Sequence, residues 1–331
     1  MLTPVLQPTH RVRLQQVQGE TVTEPSPVSA SSVLVDHAVV GVSDMAASTA
    51  FFEAFGFEVV AQNHLEAAVA QALYGLDAET DEVVLGVSGA DTGRLRLVTT
   101  PLPLPERGHF HRGGHALDIY TTDMAASTAI ARDLGVVVGP TADYVFGPVS
   151  LQQAQAMAPD EVPFVFVGID RRLPSVLDEQ PDRLHSELHS VVGCVDGIDA
   201  ETVFWKDIVG LELRSQFPID VPAVSEFMML PRHVPIRMSV MSGSTANPPR
   251  FELLEFSDAE GLSISGRPLL PGCLVVGLRV ADVDAAVASM AAAGATVYPA
   301  VEAPGLQGGT DRAAFVTTPG GIDLEVRGPL S

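Results

Sequence analysis

The sequence predicts an α+β protein: four βαβββ modules, paired into two domains, each domain a curved mixed sheet enclosing a cleft. Three observations carry this. A unit of apolar strand, Asp-bearing turn, helix and Gly stop occurs four times. The string DMAAST is repeated verbatim at Asp44–Thr49 and Asp123–Thr128. Further strand-like runs follow each unit, and a half-open sheet of that kind needs a second one beside it to bury its faces.

The clearest copy is Leu188–Leu211, LHSVVGCVDGIDAETVFWKDIVGL. Val191–Val195 is a β-branched run that favours a strand, with His189 at its mouth. A Gly- and Asp-rich turn follows at Asp196–Asp199. The next stretch places Val203, Phe204 and Ile208 on roughly one face of a helix. Gly210 ends it, where positive φ is wanted. The other copies are Asp36–Phe57, His115–Val136 and Leu274–Ala295. Their Gly stops, Gly56, Gly135, Gly210 and Gly294, recur at a period of roughly 80 residues. Asp44, Asp123, Asp196 and Asp282 read as turn and helix-cap residues. Trp205 and Phe204 read as core between helix and sheet.

Later strands are expected at Glu58–Ala61, Val83–Val87 and Arg94–Val98 in module one, and at Phe164–Gly168 in module two. In module three they are expected at Glu212–Gln216, Ser225–Leu230, Arg237–Ser242 and Phe251–Phe256. Module four supplies Thr296–Tyr298, Ala313–Thr317 and Asp323–Val326. Residues 1–32, rich in Pro, Ser, Thr and Gln, read as an arm, with Val12–Val17 as an optional edge strand. The expected organisation is an N-terminal domain, 33–170, made of modules 33–100 and 114–170. A linker at 171–186 leads to a C-terminal domain, 187–328, made of modules 187–256 and 273–328.

Composition narrows the function. The chain has 331 residues, of which 46% are hydrophobic, ample for a packed core. Its formal charge of −22 argues against nucleic acid and anionic membranes as partners. Cys194 and Cys273 form no CxxC pair, so neither a zinc ribbon nor a disulfide framework is implied. No apolar run approaches a membrane span and the first residues lack a signal core, which makes a cytoplasmic setting the default. The tract HFHRGGH, His109–His115, carries three His but sits at a linker without a fixed frame.

The βαβββ repeat, the His seven residues before the turn Asp, and the late strand PGG-x-x-L-E resemble the vicinal oxygen chelate superfamily, which includes glyoxalase I, extradiol dioxygenases, methylmalonyl-CoA epimerase and the fosfomycin- and bleomycin-resistance proteins. The resemblance covers Val33 to Arg327. It implies metal ligands at the head of the first strand and the middle of the last strand of a module. Carried over, these positions are His189 and Glu252 in module three, Val275 and Glu325 in module four, and His37 and Arg96 in module one. In module two they are Ala116, with His115 one residue early, and a position near Phe166. The implied site is therefore His189, Glu252 and Glu325 around a divalent ion (Zn, Mn, Fe or Ni), completed by a nearby His such as His233 or His185 if a fourth ligand is needed. Val275 departs from the pattern and cannot bind a metal. Arg96 would repel one, so the His37–Arg96 half reads as metal-free, a scaffold or an anion pocket. Glu255 offers a second register for Glu252.

What the resemblance implies for activity is a metal-dependent, glyoxalase-like isomerase or lyase. Glu252 or Glu325 would move a proton while the metal holds an enolate-like oxyanion. Alternatives are an Fe(II) ring-cleaving dioxygenase and a non-catalytic binding or resistance protein. His37, Arg96 and Arg237 are candidate substrate contacts. The expected partner is a small-molecule substrate, with a homodimer as an open alternative.

Overall fold

A computed structural model gives the structure of the protein, and it describes residues 33–146, 149–243, 249–306 and 308–330. The expected N-terminal arm, with Val12–Val17, lies outside the described residues. Module one comprises β1 (Leu34–Val42), α1 (Met45–Ala54), β2 (Glu58–Leu65), α2 (Ala67–Tyr74), β3 (Thr80–Gly86) and β4 (Arg94–Thr99). Module two comprises β5 (Gly113–Thr121), α3 (Met124–Asp133), β6 (Ala142–Phe146), β7 (Val149–Ala158) and β8 (Val162–Ile169), and a short α4 (Val176–Glu179) follows it. Module three runs through β9 (His185–Cys194), α5 (Ile198–Phe204), β10 (Glu212–Ile219), α6 (Pro222–Phe227), β11 (Ile236–Ser242) and β12 (Arg250–Phe256). Module four runs through β13 (Leu274–Arg279), α7 (Val283–Ala292), β14 (Thr296–Val297), β15 (Val301–Pro304), β16 (Thr310–Thr317) and β17 (Asp323–Pro329).

The local signals act as their chemistry requires. Asp44, Asp123 and Asp282 cap α1, α3 and α7, each accepting the backbone N–H three residues on at 2.9–3.0 Å. Asp196 does not cap α5, whose N-cap is Gly197; it pairs with Arg112 instead. The four Gly stops all have positive φ, between 77° and 93°. Trp205 is fully buried and stacks on Phe251 at 4.0 Å. Ser225–Leu230, expected as a strand, lies at α6, because Pro222 in its first turn starts a helix.

Sheet topology corrects the expected pairing of modules. One sheet runs β14-β16-β17-β13-β1-β4-β3-β2, with β15 on β16, and so joins modules one and four. The other runs β10-β11-β12-β9-β5-β8-β7-β6 and joins modules two and three. The seams are the antiparallel pairs β1–β13 and β5–β9. Every module offers its first strand as an open edge, so four similar units can pair in more than one order. Close approaches of glycine backbone accompany the observed order. A Cβ on Gly114 would lie 2.3 Å from the Leu274 carbonyl oxygen where the two seams touch, and one on Gly277 would lie 2.3 Å from the His37 ring. Residues 171–186 thus connect two modules of one sheet rather than two domains. The sheets share a core: Phe51 and Phe52 of α1 and Phe55 just after it pack on Phe164 of β8 with ring centroids 5.3–5.6 Å apart.

Candidate functional site

Each seam carries a bulge at the same place. In β1, Val35 faces Leu278 and His37 faces Gly277, leaving Asp36 as the extra residue. In β9, Leu188 faces Ile119 and Ser190 faces Asp118, leaving His189 as the extra residue. Asp36–His37 and His189–Ser190 are therefore matching pairs, turned inward by the bulge.

Around Glu325 the interior of modules one and four is filled by side chains, and a cavity with about 620 Å³ of empty space, open solvent included, lies beyond Arg327, toward Asp311. Glu325 accepts hydrogen bonds from Arg96, Arg327 and Tyr74 and contacts His37 Nε2 at 2.9 Å. Arg96 also pairs with Glu82, and His37 Nδ1 lies 3.3 Å from Asp36. All of these side chains are buried. Burial alone would raise the Glu325 pKa, but Arg327, Arg96 and the His37 contact outweigh it and hold the carboxyl well below the usual range. The apolar remainder of the interior is taken by Val39, Leu73, Val98, Val275 and Phe315. Arg96 does hold anions, but they are the protein's own carboxylates.

The interior of modules two and three is open. A cleft with about 950 Å³ of empty space, open solvent included, is lined by Asp118, Tyr120, Tyr144, His189, Arg250 and Glu252 among others. Arg250 and Glu252 alternate on β12 and so share a face. The Arg250 guanidinium lies 2.6 Å from His189 Nε2 and 3.3 Å from Glu252. Ser190 donates to Glu252 at 2.8 Å, and His189 stacks on Tyr120 at 3.8 Å. Burial, then the charge of Arg250, holds His189 well below the usual histidine pKa. Its imidazole is neutral and accepts from Arg250 at Nε2. Burial, then the Glu252 charge, raises Asp118 well above the usual carboxylate range, against the opposing pull of Arg250. Asp118 Oδ1 and Arg250 Nε have no hydrogen-bond partner among the described residues.

The structure thus separates the expected triad. His189 and Glu252 face one cleft, while Glu325 is in the other sheet, locked by arginines. His37 and Arg96 are with Glu325. Arg237 is on the outer side of β11, paired with Asp199 at 2.6 Å and Glu255 at 3.1 Å, so it touches no cleft. That pair also shows that Glu252, not Glu255, is the inward register. His233 is engaged by Asp220 at 2.7 Å, and His185 contacts Ser127 at 2.9 Å beside Phe55 and Phe166. Asp118 and Arg250 are the residues that sequence reasoning missed. A lone Asp in the apolar run ALDIY and an Arg two residues before Glu252 were the available signals.

The family pattern implies a divalent ion, and the residues do not fit one. Among the described residues no three His, Cys, Asp or Glu are grouped so as to hold a metal. Where His189 and Glu252 converge, the Arg250 guanidinium is within reach of both, and it would repel a second cation.

Fold and site together define a paired-βαβββ protein with one filled and one open half. The model of the Glyoxalase/Bleomycin resistance protein/Dioxygenase superfamily matches residues 34–150 and 187–326, and the chain belongs to that family. Among solved structures it is similar to glyoxalase I from Zea mays, at 15% identity and a TM-score of 0.59, over 90% of this chain and 93% of that one. It is similar also to a putative dioxygenase from Bacillus subtilis subsp. subtilis str. 168, at 13% identity and a TM-score of 0.63, over 92% and 87% of the two chains. At these identities the likeness is one of fold. No match was found among curated proteins. No helix of the described residues is long and apolar enough to cross a membrane.

Proposed function

We propose that the chain is an enzyme of the isomerase or lyase kind that moves a proton on a small organic molecule in the cleft of modules two and three, with Arg250 in place of a metal. The observation that supports this reading is the meeting of Arg250, Glu252 and Asp118 in one cleft, with Glu252 charge-paired to Arg250 and burial raising the Asp118 pKa. A carboxylate paired with an arginine suits a base, and a carboxyl with a raised pKa suits an acid. The Arg250 guanidinium receives a carbonyl oxygen and stabilises the oxyanion that forms as Glu252 takes the proton alpha to it. Asp118 donates a proton to the oxyanion or to an adjacent carbon. His189, neutral and bonded to Arg250, positions the guanidinium. This replaces the metal-dependent reading, and the ring-cleaving reading falls with it, since that needs two His and one Glu around iron.

The test is exchange of solvent deuterium into a panel of α-hydroxy ketones and 2-oxo acids, followed by NMR with chelator present. Exchange that persists with chelator and is lost in Glu252→Gln supports the reading. Exchange that requires an added divalent ion overturns it. Binding without exchange would instead favour a sequestering protein, a role that the apolar walls of the cleft also suit.

A further inference from the structure

The cleft does not end at Asp118. Three adjoining cavities share walls. Asp118, Tyr144, Gln153 and Glu252 are common to the outer and middle ones, and His115 and Gln155 to the middle and far ones. The middle cavity is otherwise apolar, walled by Ile219, Val224, Phe227, Ile236 and Leu254. The far one opens past Arg107 and Met229. Strand β5 runs along all three, and at about 3.3 Å per residue the wall from His115 to Tyr120 spans roughly 16 Å.

His115 is at the far end by construction. Gly114 faces Gly193 and Ala116 faces Val192, so His115 is the extra residue of a third bulge. It is only 4% exposed, and its Nδ1 has no hydrogen-bond partner among the described residues. Its ring packs on His111 at 4.6 Å and Phe256 at 5.5 Å. Burial, then His111, keeps its pKa well below the usual range, so the imidazole is neutral. An unpaired buried polar atom costs free energy that a ligand group can recover.

We propose that the three cavities act as one passage, whose ligand is an elongated, largely apolar molecule, anionic at the end held by Arg250 and hydroxylated at the end that reaches His115. This rests on the cleft being the binding site. A hydroxyl suits a neutral imidazole because it both donates and accepts, and so meets either tautomer. A second carboxylate would find no cation until Arg107, whose guanidinium already donates to the Pro271 carbonyl at 2.8 Å.

Calorimetry on the full chain with decanoate, ω-hydroxydecanoate and sebacate tests this. The hydroxy acid is expected to bind about fivefold tighter than decanoate, the value of one neutral hydrogen bond. That advantage should vanish in His115→Phe and, if that variant fails to fold by circular dichroism, shrink in His115→Gln. Both acids should weaken about tenfold or more in Arg250→Gln. Equal binding of decanoate and ω-hydroxydecanoate to the wild type, or tighter binding of sebacate, overturns the two-ended ligand while loss in Arg250→Gln still upholds the cleft. If none of the acids binds, or Arg250→Gln changes nothing, the cleft reading itself falls.

Discussion

The two halves use the same module and put charge to opposite uses. In modules one and four, the inward Glu325 is surrounded by Arg96, Arg327, His37 and Tyr74, and Gly277 leaves the space that the His37 ring fills. In modules two and three, the inward Glu252 has Arg250 and Ser190, and the space beside them stays open. One half has turned a family's site positions into a charge-paired polar core. The other keeps unpaired atoms facing a cleft. Buried atoms without a partner occur in both halves, at Arg96 Nε and Arg327 Nη2 as well as at Asp118, Arg250 and His115, but the last three belong to residues that line the cleft, where a ligand can reach them.

The sharpest way to break this contrast is to remove each glutamate. Glu325→Ala leaves two arginines buried without their shared anion, and should cost about 4 kcal/mol of stability. This reverses what the sequence suggests, where Glu325 as a ligand should be dispensable for folding. Glu252→Ala removes one charge-paired partner of Arg250 and the acceptor of Ser190, and should cost less, about 2 kcal/mol. Urea unfolding of both variants checks it, and equal losses would dissolve the distinction between the halves.

Gly277→Ala comes next. The added Cβ would meet the His37 ring, and the ring is held by Asp36 and Glu325. Overpacking of this kind should cost about 2 kcal/mol. A melting temperature unchanged from wild type would show that the filled half yields more than its packing suggests. Arg250→Gln should do the reverse, lowering affinity for a carboxylate ligand about tenfold while moving the melting temperature less than Gly277→Ala does.

Much of the fold was legible because it rests on local chemistry. Asp44, Asp123 and Asp282 announce helix starts, the four Gly stops announce helix ends, and the repeat announces the modules. Pairing was not legible, because four similar open edges carry no label. In the observed order Gly277 lies against the His37 ring of module one, a neighbour from the far end of the chain. The site was half legible for the same reason. His189 and Glu252 were found as positions of one module. Glu325 was grouped with them only through the assumed pairing. Asp118 comes from module two, where the pattern of ligand positions fell on Ala116 and near Phe166 instead. Arg250 was visible in RFELLE, but its role depends on where His189 turns, and that follows from a bulge that alternation cannot foretell.

The dependence on pH separates the halves by sign. The Asp118 pKa lies above its ordinary value of 3.8, so between that pH and its raised value the folded state holds a proton that the unfolded state has lost. Stability must therefore fall as pH rises through this window, by up to about 1.4 kcal/mol per pH unit. Glu325 does the opposite: its pKa lies below its ordinary 4.5, so its contribution is present above that pH and is lost as the pH falls through its depressed value. Glu252, Arg250, His189 and Tyr144 face the same cleft as Asp118 and stay in place when Asp118→Asn removes only the titrating group. The variant should match the wild type near pH 4 and exceed it increasingly toward neutral pH. Thermal unfolding of both proteins from pH 4 to pH 8 measures the difference directly. A constant offset across that range would mean that Asp118 is ionised in the folded protein, and the acid of the proposed reaction would have to be sought elsewhere in the cleft.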